Sequence, residues 1–152
     1  MIDRFPELLQ ELATELDIDL YPDKRGACKL VTEDGLHVQM EVDVRQESLL
    51  IASFICEIPP GKFRENILRD ALKSNGPFPK NGTLAYSDRN NKLTLFSHLR
   101  IAHLTGRKIA EFLGVFIDKA NQWRKAVDTG NTSHLITMTS PKPTSGMFGL
   151  KP

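Results

Sequence analysis

Leu36, Val38, Met40, Val42 and Val44 alternate with His37, Gln39, Glu41, Asp43 and Arg45, the two-residue period of a strand with one face buried and the other in water. Asp34-Gly35 just before it is a hairpin signal, because glycine accepts the positive φ that a tight primed turn demands. The next apolar stretch breaks the alternation. Leu49, Leu50, Ile51, Ala52, Phe54, Ile55 and Cys56 leave no polar face, so this strand is expected to be covered on both sides. Residues 27–58 thus read as three consecutive strands of one antiparallel sheet. Helices of the same chain can cover one side; the other side calls for a second molecule.

On either side of these strands the period lengthens. Phe5, Leu8, Leu9, Leu12, Ala13 and Leu16 recur at three- and four-residue spacing, an amphipathic helix with Asp3 as its N-cap and Pro6 in its first turn. A polar connector follows from Asp17 to Gly26, in which Ile18, Leu20 and Tyr21 are the apolar exceptions. Beyond the strands, Pro59-Pro60-Gly61 ends the ladder. Phe63, Ile67, Leu68, Ala71 and Leu72 then mark a helix over 62–74, stopped by Asn75-Gly76-Pro77. Residues 83–87 and 92–98 form a second hairpin around Asp88-Arg89-Asn90-Asn91. The longest stripe, Ile109, Phe112, Leu113, Phe116, Ile117, Ala120, Trp123 and Val127, predicts a helix entered at Thr105 and ending near Asp128. From Gly130 the chain turns to Ser, Thr, Pro and Gly without a period, and residues 129–152 are expected to form a flexible tail after a domain spanning 1–128.

The order α-β-β-β-α-β-β-α predicts a single α+β domain, a twisted antiparallel sheet with helices packed beside it. At 152 residues the chain is long enough to bury roughly 68 to 70% of the surface it exposes when unfolded. Its formal charge of +1 supplies no field for collecting nucleic acid. The opening Met1-Ile2-Asp3-Arg4 has no basic start before an apolar run, and no stretch approaches the ~20 apolar residues of a membrane span. A cytoplasmic protein without a membrane partner is the expectation.

Candidate chemistry is sparse. There is no Gly-rich phosphate loop and no nucleophile elbow. His37, His98, His103 and His134 are scattered, and neither Cys28 nor Cys56 neighbours a histidine or the other cysteine at metal spacing, so no metal, no cofactor and no enzyme are expected. Both cysteines sit at apolar strand positions and read as buried reduced thiols. Arg100, His103, Arg107 and Lys108 cluster before and within the start of the last helix. That cluster offers an alternative role as a regulatory or nucleic-acid-binding module, against which stand Glu111 and Asp118 and the lack of an interleaved aromatic pair. Surplus apolar surface without catalytic residues points instead to a protein that grips other chains.

The pattern resembles a family. Gly26-Ala27-Cys28-Lys29-Leu30, the Leu36 to Val44 strand, the Leu49 to Ile55 strand ending in Pro59-Pro60, Leu72 through Asn75-Gly76, Gly82-Thr83-Leu84-Ala85-Tyr86 and Ala120-Asn121-Gln122-Trp123 are similar to the class I chaperones of bacterial type III secretion, the CesT-like family. The likeness spans Phe5 to Val127, and residues 71–123 are most similar to chlamydial members. It implies an ATP-independent chaperone of virulence proteins, homodimeric or paired with a second chaperone. Such a chaperone wraps the N-terminal segment of a secreted effector or gatekeeper protein and keeps it extended. It further implies dimer contacts on the second helix and the fourth and fifth strands, here Phe63, Ile67, Ala71, Leu84, Tyr86 and Leu95. Effector contacts near the first helix and the sheet would fall on Leu9, Leu20, Tyr21, Leu30 and Leu36. Members of the family are often acidic. This near-neutral chain would rely on apolar wrapping rather than charge.

Overall fold

The computed structural model describes residues 4–139; the expected N-cap Asp3 and residues 140–152 lie outside them. The elements are α1 (Arg4–Leu16), β1 (Cys28–Val31), β2 (His37–Asp43), β3 (Ser48–Glu57), α2 (Lys62–Asn75), β4 (Thr83–Ser87), β5 (Lys92–Arg100), α3 (Gly106–Thr129) and α4 (Ser133–Thr139). The five strands form one antiparallel sheet in the order β1-β2-β3-β5-β4, so the α+β order expected from the sequence is present with one helix added.

The period-two pattern sets the faces. Cys28 opposes Met40 and Leu30 opposes Val38, Met40 opposes Ile51, Ser53 opposes Leu95 and Leu84 opposes Leu95. These residues share the inner face, and directly opposed side chains lie on the same side of a sheet. Val44, at the end of the alternation, falls one residue past β2 and is exposed. Near the end of β3 the register slips between Phe54 and Cys56. This β-bulge turns Cys56 toward the inner side, opposite Leu93.

α3 is the backbone of the core, with Ile109, Leu113, Phe116, Ala120 and Trp123 all buried against inner-face residues. Its start is fixed by Thr105, whose side chain accepts from Lys108 N, and its end by Gly130 in the left-handed region. α1 contributes Phe5, Leu8, Leu9 and Leu12 to the same core. It is tied down by the Arg4 guanidinium, which donates to the carbonyls of Ile101 and Leu104 at 2.9 and 2.8 Å. Where α1 crosses the start of α3 there is no room for a side chain. A Cβ on Gly106 would fall 2.4 Å from Glu11 Cβ and 2.6 Å from Leu12 N.

α2 lies along the β4 edge. The Asn75 side-chain amide donates to Leu84 O and accepts from Leu84 N, at 2.9 and 2.8 Å, meeting the outward backbone groups of an edge strand as a neighbouring strand would.

The flexible tail expected over 129–152 is corrected in its first part. Residues 133–139 are helical, Leu135 is buried in the core and the buried Thr132 donates its hydroxyl to Asp70 Oδ2 on α2 at 2.6 Å. The Ser, Thr and Pro content of the whole stretch hid a short helix entered through an Asx turn, in which Asn131 Oδ1 accepts from Ser133 N and from its hydroxyl, and contact with α2 supplies the burial that the local composition does not promise. Leu135→Ala should therefore cost about 2 kcal/mol in urea unfolding; a change below about 0.5 kcal/mol would show α4 to be undocked.

Candidate partner-binding surfaces

The apolar inward side chains of the sheet belong to the core or pack against it. The outward ones do not. Ala52 opposes Phe96 and Phe54 opposes Thr94 across β3 and β5; Thr83 opposes Phe96 and Ala85 opposes Thr94 across β4. Leu50, Ala52, Ala85 and Phe96 are half-buried, and Phe54 is 53% exposed. Phe96 and His98 meet edge to face at 6.2 Å. The outer face of β3, β5 and β4 is thus an apolar field that no helix among the described residues roofs over, where a lone sheet in water should be polar. The third strand's lack of a polar side had predicted this bare side.

Several residues implied by the family resemblance sit beneath the surface rather than on it. Leu9 and Leu36 are core residues, and so are Ile67, Ala71, Leu84 and Leu95. Side chains this deeply packed shape a surface from below and have no area of their own to offer. Phe63 and Tyr86 are half-buried against the core. Tyr86 donates its hydroxyl to Asn91 Oδ1 at 2.5 Å and carries the Arg64 guanidinium over its ring at 5.8 Å.

On the other side of the molecule, Leu20 and Leu30 pack half-buried at the rim of the core, whereas Tyr21 is 76% exposed. Ile18 and Val31 are exposed beside them in sequence. The connector that presents Leu20 and Tyr21 is shaped by Asp23, whose Oδ1 accepts from Arg25 N and Ala27 N at 2.8 and 3.0 Å. Those two backbone donors hold its carboxyl below the usual range.

The sequence pattern missed the surface residues of α2 and the loop after it. Leu72 is 71% and Phe78 85% exposed. By spacing Leu72 belongs to the inward stripe; its place one residue after Ala71 turns it outward, and only the position of β4 decides which of the two is buried.

The basic cluster does not assemble into an anion site. Lys108 Nζ is spent on the carbonyl of His103 at 2.9 Å, and Arg107 pairs with Glu111 at 3.5 Å on an exposed helix face. Nucleic-acid binding through Arg100 to Lys108 is not supported.

Cys56 lines a cleft of about 820 Å³ between the end of β3 and the last turns of α3, together with Phe63, Asn121, Arg124, Val127 and Gly130. Arg124 pairs across it with Asp34 at 3.2 Å. Burial pushes the Cys56 thiol from its ordinary 9.0 up to about 11, and burial also raises Cys28. At pH 8 the thiolate of Cys56 is on the order of 0.1% of the population. Cys28, which is buried, should not react with Ellman's reagent at pH 8 until the chain unfolds, and Cys56, half-buried on the cleft wall, should react slowly because its thiol stays protonated; rapid labelling of Cys28 in the native protein would contradict its buried placement. Because folding raises the Cys56 pKa, its neutral form is favoured, and its contribution to stability is intact below about pH 9 and falls as pH climbs through about 11.

Among the described residues no group of three or more His, Cys, Asp or Glu side chains comes together to hold a metal ion, and no helix is long and apolar enough to cross a membrane.

Residues 7–124 match the sequence profile of the Tir chaperone protein (CesT) family. Comparison with curated protein sequences finds no match. Among solved structures, one chain of the HopA1-SchA chaperone-effector complex superposes with a TM-score of 0.67 at 17% identity, over 82% of this chain and 96% of that one. The Yersinia pestis type III secretion chaperone SycH in complex with a stable fragment of YscM2 gives 0.62 at 20% identity, over 78% and 98%. The heterodimeric ExoU-SpcU complex from the type III secretion system of Pseudomonas aeruginosa gives 0.56 at 18% identity, over 89% and 99%. At these identities the likeness is one of fold.

Proposed function

This chain belongs to the Tir chaperone protein (CesT) family, and on that footing we propose that it is a cytoplasmic, ATP-independent chaperone of type III secretion. It acts as a dimer that holds the N-terminal segment of a secreted effector or gatekeeper protein in an extended, secretion-competent state, and it carries no catalytic activity. The observation that carries the reading is the bare apolar field on β3, β5 and β4, with Phe54 as its most exposed ring. A chaperone family whose solved relatives include chaperone-effector and heterodimeric complexes supplies the kind of molecule that covers such a field.

The two kinds of partner divide the surface. A second copy covers the outer face of β3, β5 and β4 together with α2. The dimer elements are those implied by the family resemblance, but Leu72, Phe54 and Phe96 bear the contact, while Ile67, Ala71, Leu84 and Leu95 hold it in shape. A second chaperone in place of the second copy is the other arrangement open to the same surface. The client segment lies on the α1 to β1 side, against Tyr21, Leu20 and Leu30 with Ile18 and Val31, over a platform that Leu9 and Leu36 support from within. Its apolar side chains contribute at about 25 cal/mol per Å² buried, less the cost of ordering an extended chain.

The test is co-expression of the tagged chain with secreted proteins of its source organism, followed by affinity capture and mass spectrometry. One or a few proteins should co-elute stoichiometrically through their N-terminal segments, and Tyr21→Asp should abolish co-elution. Capture of nothing, or capture through folded C-terminal domains only, would overturn the reading.

A further inference from the structure

Lys119 is the only charged side chain buried among the described residues, at 7% exposure. Its ammonium donates to the carbonyls of Lys80 and Gly82 at 2.7 and 2.8 Å, and burial lowers its pKa. Both carbonyls belong to the loop joining α2 to β4. The same loop is held at its start by Asn75 on Leu84 and at its end by Gly82, where φ is +117° and a Cβ would come within 2.9 Å of Leu95. A surface loop pinned at three points is unusual, since loops are normally the mobile parts of a domain. What this one presents is Phe78, 85% exposed.

Beside Phe78 lies a hollow of about 690 Å³ between the loop and α3, lined by Phe78, Val115, Asp118, Gln122, Lys73 and Lys80. We propose that Phe78 and this hollow are the two halves of a two-fold contact between copies of the chain: the Phe78 of each copy enters the hollow of the other and packs on its Val115. The proposal rests on the dimeric reading above and gives it a specific lock.

Three observations select a second copy as the occupant. A two-fold interface needs a surface that is complementary to itself, and here an exposed ring stands on the rim of a recess whose lining is polar apart from Pro77, Val115 and the ring itself. The charges repeat the same logic, because Lys73 and Lys80 lie on the α2 and loop side and Asp118 on the α3 side, all exposed, so each copy's lysines face the other's aspartate. The patch also continues onto α2 through the exposed Leu72, one of the elements assigned to the dimer. A loop backbone already held in place loses little freedom on docking, and the Phe78 ring brings up to ~150–250 Å² into the contact.

The test uses two single variants of the full chain, Phe78→Asp and Val115→Lys, with circular dichroism to show that each folds and sedimentation velocity to read association. Each alone should weaken the dimer about 30-fold or more. Mixed in equal amounts they should recover it, because the mixed pair sets Asp against Lys on one side of the two-fold axis and restores Phe78 on Val115 at the other. Parental association of Phe78→Asp, or no recovery on mixing, overturns the proposal and leaves the dimeric reading standing. Loss of client co-elution by a Phe78→Asp variant that still dimerises would assign the hollow to the client and likewise overturn it. A monomeric parent chain overturns both.

Discussion

Replacing Gly106 with alanine should destabilise the domain by about 3 kcal/mol or more, lowering Tm by roughly 6–12 °C for a chain of this size. Taken alone, the backbone argues the other way: Gly106 is helical, and alanine in a helix is favoured over glycine by ~0.5–1 kcal/mol. The environment decides the sign. The added methyl carbon would lie 2.4, 2.5 and 2.6 Å from Glu11 Cβ, Glu11 C and Leu12 N, and two of those three atoms are backbone, which no rotamer change can move. α1 would have to lift off α3, weakening the bond from Gly106 N to Glu11 Oε1 at 3.1 Å and the packing of Leu8 and Leu12. Thermal unfolding checks this directly, and a raised Tm would show that the crossing of α1 and α3 is looser than described.

The second large effect is on association. Phe54→Asp places a charge on the outer face, where the parent ring is half exposed in the single chain. The substitution should change the stability of the isolated subunit by no more than ~1 kcal/mol, the span of strand preferences at a solvated position. In a dimer that buries this field, the same charge loses its water without gaining a partner, and a few large aromatic side chains carry most of an interface's energy. The dimer dissociation constant should rise about 30-fold or more. Equilibrium sedimentation reads the association and urea unfolding reads the subunit. Equal losses in both would mean that Phe54 serves the fold and not the contact.

Much of this was legible in the chain. Alternation from Leu36 to Val42 fixed the face of β2, the unbroken apolar run from Leu49 to Cys56 foretold a strand with one side left bare, and the stripe from Ile109 to Val127 described α3 to within a residue at each end. What a one-dimensional pattern does not contain is which neighbour a residue meets. Leu9 and Leu36 belong to faces that the pattern marks as apolar, and burial in the core and contact with a client demand the same side chains there. Ala71 and Leu72 are adjacent and both apolar; the position of β4 buries one and exposes the other. Phe78 sits in a loop of Gly, Pro and Lys without a period, and nothing near it in sequence shows that Lys119, many residues away, holds the loop rigid. α4 was concealed in the same way, its burial coming from α2 rather than from its own composition.

An apolar outer sheet face of this kind needs another chain to cover it. Light scattering coupled to size-exclusion chromatography, on the purified chain at micromolar concentration, tests this most directly. With a subunit of 17.1 kDa, the predicted particle is twice that mass, and it should fall to the subunit mass on dilution of Phe54→Asp. A parent chain that runs as a soluble 17.1 kDa particle at every concentration, with no partner bound, would contradict the claim.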